Sequence, residues 1–273
     1  MGAKDYGFAG LLLGLAALIW GRDLSWTATA ENTAPIAAAL PVFWWLGRPW
    51  RFRPQGEGGS SVRTLGAGVL LFLAGVGLDL TFLLSLGWVL LLAGWLSARL
   101  EAERWRAVRR LLILPLLAFP WIALEGDRIG WWFRLSGAWA TQSFFSLAGF
   151  AVERDGTFLL VQGLPMRVDA ACAGLNELQS MLIAGTGVAY LYLGGHSRYW
   201  WSFPLLVSLA WLANALRIMA LGAAALTVSP EFAMGAFHHW GGWLVLCLMF
   251  ALCWLMFARL QRERGALAPD GAD

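Results

Sequence analysis

The chain contains few charged residues, few histidines and few cysteines, and each shortage excludes a class of protein. Only 14% of its 273 residues are charged, whereas soluble domains carry roughly 25%, and 59% are hydrophobic. The three histidines and three cysteines do not form a cluster with the spacing of a zinc site. We therefore predict an all-α integral membrane protein that needs no metal and no other cofactor.

Long apolar stretches occupy most of the chain and predict about eight transmembrane helices. A helix that crosses a bilayer needs about 20 mostly apolar residues. Several stretches are shorter, so we expect their ends to extend into flanking residues or the helices to tilt. The candidate spans are residues 7–20, 33–46, 65–77, 82–96, 111–124, 174–193, 200–226 and 241–257.

The arginines outside the spans orient the protein. With eight spans, the four segments that carry the arginines named below all fall on one side of the membrane: those between spans two and three, four and five, and six and seven, and the one after span eight. Positive residues stay cytoplasmic. We therefore expect a protein of the cytoplasmic membrane with both termini inside. The net charge of +3 reflects this bias, and no nucleic-acid partner is expected beside the lipid bilayer. The arginines are Arg48, Arg51, Arg53, Arg63, Arg99, Arg104, Arg106, Arg109, Arg110, Arg198, Arg259, Arg262 and Arg264.

Residues 125–171 form the one sizeable segment expected outside the membrane. Its first half, 129–150, is predicted to be an amphipathic helix at the outer interface. The second half is predicted to form short strands, with turns at Arg154-Asp155-Gly156 and at Gly163-Leu164-Pro165. This element offers edges to an extended peptide, or packs on the helices as a lid. The predicted divisions are 1–124 with about five spans, 125–171, a core at 172–258 and a cytoplasmic tail at 259–273.

Cys172 lies where the β element meets the start of the sixth span, between small residues. A helix N-terminus carries partial positive charge and lowers the pKa of a nearby thiol. The other two cysteines, Cys247 and Cys253, lie within span eight and are interpreted as packing residues. Since Cys172 has no second outward-facing cysteine, a disulfide is not expected, and Cys172 becomes a candidate nucleophile.

Arg217 lies well inside the seventh span, with Asn214 three residues earlier on the same face. An ionised arginine in a membrane costs about 2.5–3.5 kcal/mol on insertion scales, and therefore suggests a function. Two roles remain open. Arg217 either binds a substrate carboxylate, an oxyanion or the thiolate, or it is a structural partner for an intramembrane acid such as Glu177.

His238 and His239 open the eighth span, and a neutral histidine is a suitable base for a thiol. The two do not form a good metal pair, because adjacent residues on a helix point apart. The third histidine, His196, is predicted to lie on the cytoplasmic side. The predicted topology brings Cys172, Arg217 and the His238 end of span eight to the outer leaflet.

These residues occur in motifs that resemble those of the exosortase and archaeosortase family. Residues 150–156 read Phe-Ala-Val-Glu-Arg-Asp-Gly, and residues 166–175 read Met-Arg-Val-Asp-Ala-Ala-Cys-Ala-Gly-Leu. Asn214-x-x-Arg217 and His238-x-x-x-Gly242-Trp243 follow in the family's order and spacing. The resemblance covers about residues 149–257. Ala173 stands where many members have serine.

The resemblance implies a multipass, transpeptidase-like cysteine protease. Its expected partners are membrane-anchored proteins with a C-terminal sorting signal: a short motif of the PEP-CTERM type, a transmembrane helix and a basic cluster. It implies Cys172 as nucleophile, Arg217 as electrostatic stabiliser and His238 as base or acid. Supporting or substrate-binding residues are Asn214, Glu177, Asn176, Gly174 and His239.

Two alternative functions remain. A channel or transporter would use Arg217 and Glu177 in a polar pathway, but calls for more intramembrane charge or matching broken helices in two halves, which the sequence lacks. A non-catalytic assembly protein for surface polysaccharide or protein export would carry a degenerate triad. A serine rhomboid-like enzyme is disfavoured because no Gly-x-Ser-x-Gly motif is present.

Overall fold

The computed structural model describes residues 3–53, 62–168 and 174–267, and these are mostly helical with one small β-sheet. Contacts within the chain divide it into two compact units, Met1–Glu125 and Gly126–Asp273. The boundary lies at the start of the segment that the sequence predicts to be extracytoplasmic. The helical class is therefore confirmed, and the four-part division stays a prediction.

The first unit contains seven α-helices among its described residues. A short 3₁₀ turn, Ser25–Thr27, precedes the second, where the Thr29 side chain accepts a hydrogen bond from the Asn32 backbone N–H at 3.3 Å. The helices are α1 (Ala3–Gly21), α2 (Ala30–Leu46), α3 (Val62–Leu78), α4 (Thr81–Arg99), α5 (Ala102–Val108), α6 (Ile113–Leu117) and α7 (Trp121–Leu124).

Glycines spaced seven residues apart bring α3 and α4 into close contact. A β-carbon on Gly75 would lie 2.7 Å from the Leu84 backbone N, and one on Gly87 would lie 2.6 Å from the Phe72 backbone N. Gly68 and Gly94 occupy equivalent positions one heptad away. Small residues allow helix backbones to approach closely, which is how transmembrane helices gain packing energy in lipid.

The arginine-rich stretch before the fifth predicted span is helical rather than a loop. The connection after α4 is only Leu100-Glu101, and α5 already contains Arg104 and Arg106. The Arg104 Nη2 donates to the backbone oxygens of Gly47 and Arg48, both at 2.8 Å, which satisfies two exposed carbonyls after α2. The expected span 111–124 is therefore the second part of a longer, broken helical segment, Ala102–Leu124.

The second unit contains the predicted core and the segment before it. Its helices are α8 (Gly126–Leu147), α9 (Leu175–Leu193), α10 (Ser202–Thr227), α11 (Pro230–Phe232) and α12 (His238–Leu267). Its strands are β1 (Val152–Asp155), β2 (Phe158–Val161) and β3 (Leu164–Arg167), and α9, α10 and α12 pack against one another in pairs.

Helix α8 crosses the other elements of the unit. Its first residue, Gly126, lies against Leu175 of α9, and Gly137 lies against Ile218 of α10. Near its end, Phe145 contacts the backbone of α10 at Gly222. The predicted amphipathic helix 129–150 is thus present with slightly different ends, and α8 is not among the described helices apolar enough to cross a membrane.

The three strands form an antiparallel sheet in the order β1-β2-β3. The first turn is at Gly156-Thr157 and shares only Gly156 with the predicted turn, because Arg154 and Asp155 are paired with β2. The second turn is at Gln162-Gly163, with φ of 51° and 79°, and not at Gly163-Leu164-Pro165. Pro165 is accommodated in β3 because it is on an edge strand, where its missing N–H faces away from β2.

Four described segments are long and apolar enough to cross a membrane: Thr81–Arg99, Ala102–Leu124, Ser197–Thr227 and Trp243–Gln261. They contain three of the eight predicted spans and all but the first two residues of a fourth, 241–257. The segments Asp5–Gly21 and Val62–Leu78 are apolar but shorter. The helices α2 and α9 cover two more predicted spans without meeting the same length and hydropathy criterion, so the number eight stays a prediction.

Candidate functional site

Helix α9 begins at a glycine that no other residue can replace without strain. Gly174 caps the helix with φ of 70°, the left-handed region that favours glycine. A β-carbon at this position would lie 2.5 Å from the Cγ of Asn214. Gly174 is therefore needed both for its backbone conformation and for the close approach of α10.

Asn214 is the residue that receives this contact. Its side chain is only 1% exposed, although it lies in the middle of the otherwise apolar helix α10. On its other side, a β-carbon on Gly137 of α8 would be 4.0 Å from the Asn214 Nδ2. Asn214 is thus enclosed between α8, α10 and the start of α9.

Arg217 and Glu177 form an ion pair between α10 and α9. The Arg217 Nη1 donates a hydrogen bond to the Glu177 Oε1. The two side chains are 12% and 15% exposed, so the pair is largely removed from solvent. The sequence left two roles open for Arg217, and the structure shows it paired with the acid, Glu177.

Helix geometry explains how these two residues meet. Side chains on a helix lean toward the helix N-terminus. Contacts of Gly174 with Asn214 and of Gly185 with Leu206 show that α9 and α10 run antiparallel, so side chains on the two helices lean in opposite directions along the pair. Arg217, one turn after Asn214, and Glu177, one turn after Gly174, therefore reach toward each other.

Glu177 also lies in the first turn of α9. The backbone N–H groups at a helix N-terminus favour negative charge, so this position stabilises the carboxylate independently of its arginine. The guanidinium has further N–H donors besides the one on Glu177. Its Nε is buried and has no hydrogen-bond partner among the residues that the structure describes.

The sheet ends in a second contact with α10. The Val168 backbone N–H donates to the Thr157 oxygen at 3.0 Å, and Val168 is 2% exposed. It belongs to a buried cluster that includes Ile218, the residue after Arg217. The other buried members are Ala138, Phe145, Leu159 and Val161.

Cys172 lies outside the residues that the structure describes, but both flanks of its segment are defined. Gly174, which follows the segment, contacts Asn214 of α10. Val168, which precedes it, belongs to the same buried cluster as Ile218 of α10. The α10 residues involved, Asn214 and Ile218, flank Arg217 in the sequence. The described residues on either side of residues 169–173 thus both lie at this part of α10.

A short irregular segment precedes His238. Ser229 caps α11 by accepting a hydrogen bond from the Phe232 N–H at 3.1 Å. The Ser229 hydroxyl and the backbone N–H of Glu231 lower the pKa of the Glu231 carboxyl through hydrogen bonds, the backbone bond having the larger effect. A π-helical turn, Ala233–Phe237, then breaks at Gly235 before α12 begins at His238. The side chains of His238 and His239 lie outside the described part of the chain.

The comparison with protein families agrees with these elements. A family model for transmembrane exosortases matches residues 26–255. The chain belongs to the transmembrane exosortase family. No curated protein and no solved structure matches it. The resemblance seen in the motifs is therefore confirmed, and family membership makes the protein a multi-pass membrane protein of a protein-processing family.

In this exosortase, the structure brings together four of the residues singled out in the sequence: Gly174, Glu177, Asn214 and Arg217. Asn176 lies beside Glu177 and is half-buried. Within the described ranges, no group of three or more His, Cys, Asp and Glu side chains is placed to hold a metal ion. Cys247 is exposed on α12 and Cys253 is buried there.

Sequence reasoning missed the residues that position the exosortase site. Gly137, Val168 and Ile218 bring α8 and the sheet against α10, yet each looks like an ordinary apolar or small residue. The one available signal was the glycine in the otherwise bulky, aromatic run 131–145, since a glycine inside a helix often marks a close backbone approach.

Proposed function

We propose that this exosortase is a membrane-embedded cysteine protease or transpeptidase. It cleaves C-terminal sorting signals of exported proteins, each made of a PEP-CTERM-like motif, a transmembrane helix and a basic tail. The reaction takes place at the outer face of the cytoplasmic membrane. The observation that carries the proposal is the contact of Gly174, two residues after Cys172, with Asn214, one helical turn before Arg217.

The proposed reaction begins with the Cys172 thiolate, which attacks the carbonyl carbon of the scissile peptide bond. Negative charge develops on the carbonyl oxygen, and the Arg217 guanidinium stabilises it. His238 holds the proton taken from the thiol and gives it to the leaving amine, so that the C–N bond breaks and a thioester remains. Water or an amine of an acceptor then attacks the thioester and releases Cys172.

The buried position of Arg217 supports its proposed role. A cation that is 12% exposed interacts more strongly with a developing oxyanion than one in water, because water screens it less. Its planar group also offers several N–H donors in a fixed arrangement. One donor is bonded to Glu177, which leaves others for a substrate oxygen.

The alternative function as a channel or transporter draws on the same ion pair. Arg217 and Glu177 would be the charged part of its polar path. The buried polar residues Gln179 and Thr186 lie on the opposite face of α9 from Glu177 and do not extend this path. A channel of this kind does not need Cys172. The two functions therefore differ in what a cysteine substitution does.

The test is to express the exosortase in cells with an exported protein that ends in such a three-part signal. We expect Cys172→Ala and Cys172→Ser to stop the loss of the C-terminal segment, measured by mass, while the protein still inserts into the membrane. The matched control is Cys247→Ser with Cys253→Ser, which should process normally. Normal processing by the Cys172 variants would refute the proposal, and ion flux that persists without Cys172 would favour the channel.

A further inference from the structure

The protein contains another ion pair, between Asp5 of α1 and Arg99 of α4, which we interpret as structural. It provides a comparison for the pair between Arg217 and Glu177. The side chains of Asp5 and Arg99 are 3% and 31% exposed. Arg217 is less exposed than Arg99, at 12%, and its Nε, like that of Arg104 and Arg134, is buried without a hydrogen-bond partner among the described residues. A buried donor without a partner is unfavourable unless something else satisfies it.

We infer that Glu177 is a positioning residue, which aims the Arg217 guanidinium at the carbonyl oxygen of the substrate. The inference rests on the proposed function of Arg217. Glu177 accepts one N–H of the guanidinium from the α9 side, which restricts where the group can lie. The substrate oxygen then accepts from the remaining Nη donors.

The location of Glu177 makes it suited to this task. It is in the first turn of α9, three residues after Gly174, whose position is in turn set by Asn214. Glu177 therefore lies within one helical turn of the residue at which the described chain resumes after Cys172. It is also the residue that holds the guanidinium.

A counter-ion and a positioning residue respond differently to a small displacement. Shortening Glu177 to aspartate keeps the negative charge and the pairing, but draws the guanidinium away from its position. A counter-ion neutralises the guanidinium charge whether or not the group shifts. For a positioning residue the shift matters, because a misplacement of about 1 Å in a reacting group can lower the rate about 10²-fold. The conservative variant Glu177→Asp therefore distinguishes the two roles.

The experiment uses the full-length protein in lipid nanodiscs and a peptide substrate that carries the three-part signal. For Glu177→Asp, we expect kcat to fall 10- to 100-fold, KM to stay within twofold, and the melting temperature to remain near that of the wild type. Glu177→Gln keeps an oxygen acceptor but leaves Arg217 without a counter-charge. In that variant kcat should also fall, and alkylation of Cys172 should occur at lower pH, because an uncompensated cation lowers the pKa of a nearby thiol.

The control is Asp5→Asn, which breaks the structural pair with Arg99. It should lower the melting temperature and leave kcat per folded molecule unchanged. Normal kcat in Glu177→Asp would overturn the inference, whatever the activity of Glu177→Gln. Failure of both Glu177 variants to fold, while Asp5→Asn folds, would also overturn it, since the pair would then be structural.

The proposed function and this inference fail in different ways. Processing by Cys172→Ala would refute the proposed function, whatever Glu177 does. An inactive Cys172→Ala protein together with a fully active Glu177→Asp protein would refute only the positioning role. Cys172→Ala and Glu177→Asp are therefore measured side by side on the same substrate.

Discussion

The Asn214 side chain packs against Gly174 at the place where any other L-residue would carry its β-carbon. This contact joins the N-cap residue of α9 to the middle of α10, one turn from Arg217. The position of the chain just after Cys172 thus depends on a glycine and a buried amide.

Replacing this glycine should damage both stability and activity. In Gly174→Ala the β-carbon meets the Asn214 Cγ at 2.5 Å, and φ of 70° adds strain of roughly 1–2 kcal/mol. Overpacking of this kind adds about 1–3 kcal/mol. We expect a lower melting temperature and loss of processing, measured on purified protein.

A matched control separates strain from the clash. Gly163 has φ of 79° and open space around it, so Gly163→Ala tests the backbone strain alone. It should cost less stability and keep processing. If Gly174→Ala behaves like Gly163→Ala, the contact with Asn214 does not position the site.

Cys172 should react with thiol reagents from outside the cell. The predicted topology places it on the extracytoplasmic side, and it is the one cysteine that does not lie in α12. We expect a membrane-impermeant maleimide to label intact cells and stop processing. In Cys172→Ala cells the label should be absent, because Cys247 and Cys253 lie in a membrane span. Labelling only from the cytoplasmic side would reverse the proposed orientation.

Arg217→Lys should be folded but inactive. Lysine keeps a charge for Glu177, yet its point charge does not reproduce the planar fork of guanidinium donors. Loss of one oxyanion donor typically lowers the rate about 10²–10³-fold. The measurement is turnover per folded molecule, compared with Arg217→Gln, which should lose stability as well. Near-normal turnover by the lysine variant would show that Arg217 is only a counter-ion.

His238 and His239 should differ in importance. Successive residues on a helix point about 100° apart, so the two side chains cannot occupy the same place in one site. The four-residue step to Gly242 favours His238. We expect His238→Ala to abolish processing and His239→Ala to retain most of it, assayed in cells at equal protein level. The reverse result would move the base to His239.

Local pattern was enough to predict much of the second unit. The long apolar runs predicted α10 and α12, the aromatic run predicted α8, and the Asp155-Gly156 pair predicted the first hairpin, though its turn shares only Gly156 with the prediction. The second turn was wrong by one residue. The sequence pattern assigned Pro165 to the turn. In the structure it lies on an edge strand, where its missing N–H costs no hydrogen bond to β2.

The first unit shows where local pattern is weaker. The arginines before the fifth span suggested a loop, yet α5 is helical, because arginine is a good helix former and Arg104 finds backbone carbonyls to bond. Charge indicated the side of the membrane but gave no information on secondary structure.

The sequence by itself determined the class of protein, the family motifs and the candidate residues, because hydropathy and short motifs are properties of the chain. Only the tertiary structure decided that Arg217 pairs with Glu177 and that Asn214 packs on Gly174. Those partners are about 40 residues apart, so their meeting depends on how α9 and α10 pack. Helix packing is set by many small contacts distributed over the whole interface, and no local pattern contains it.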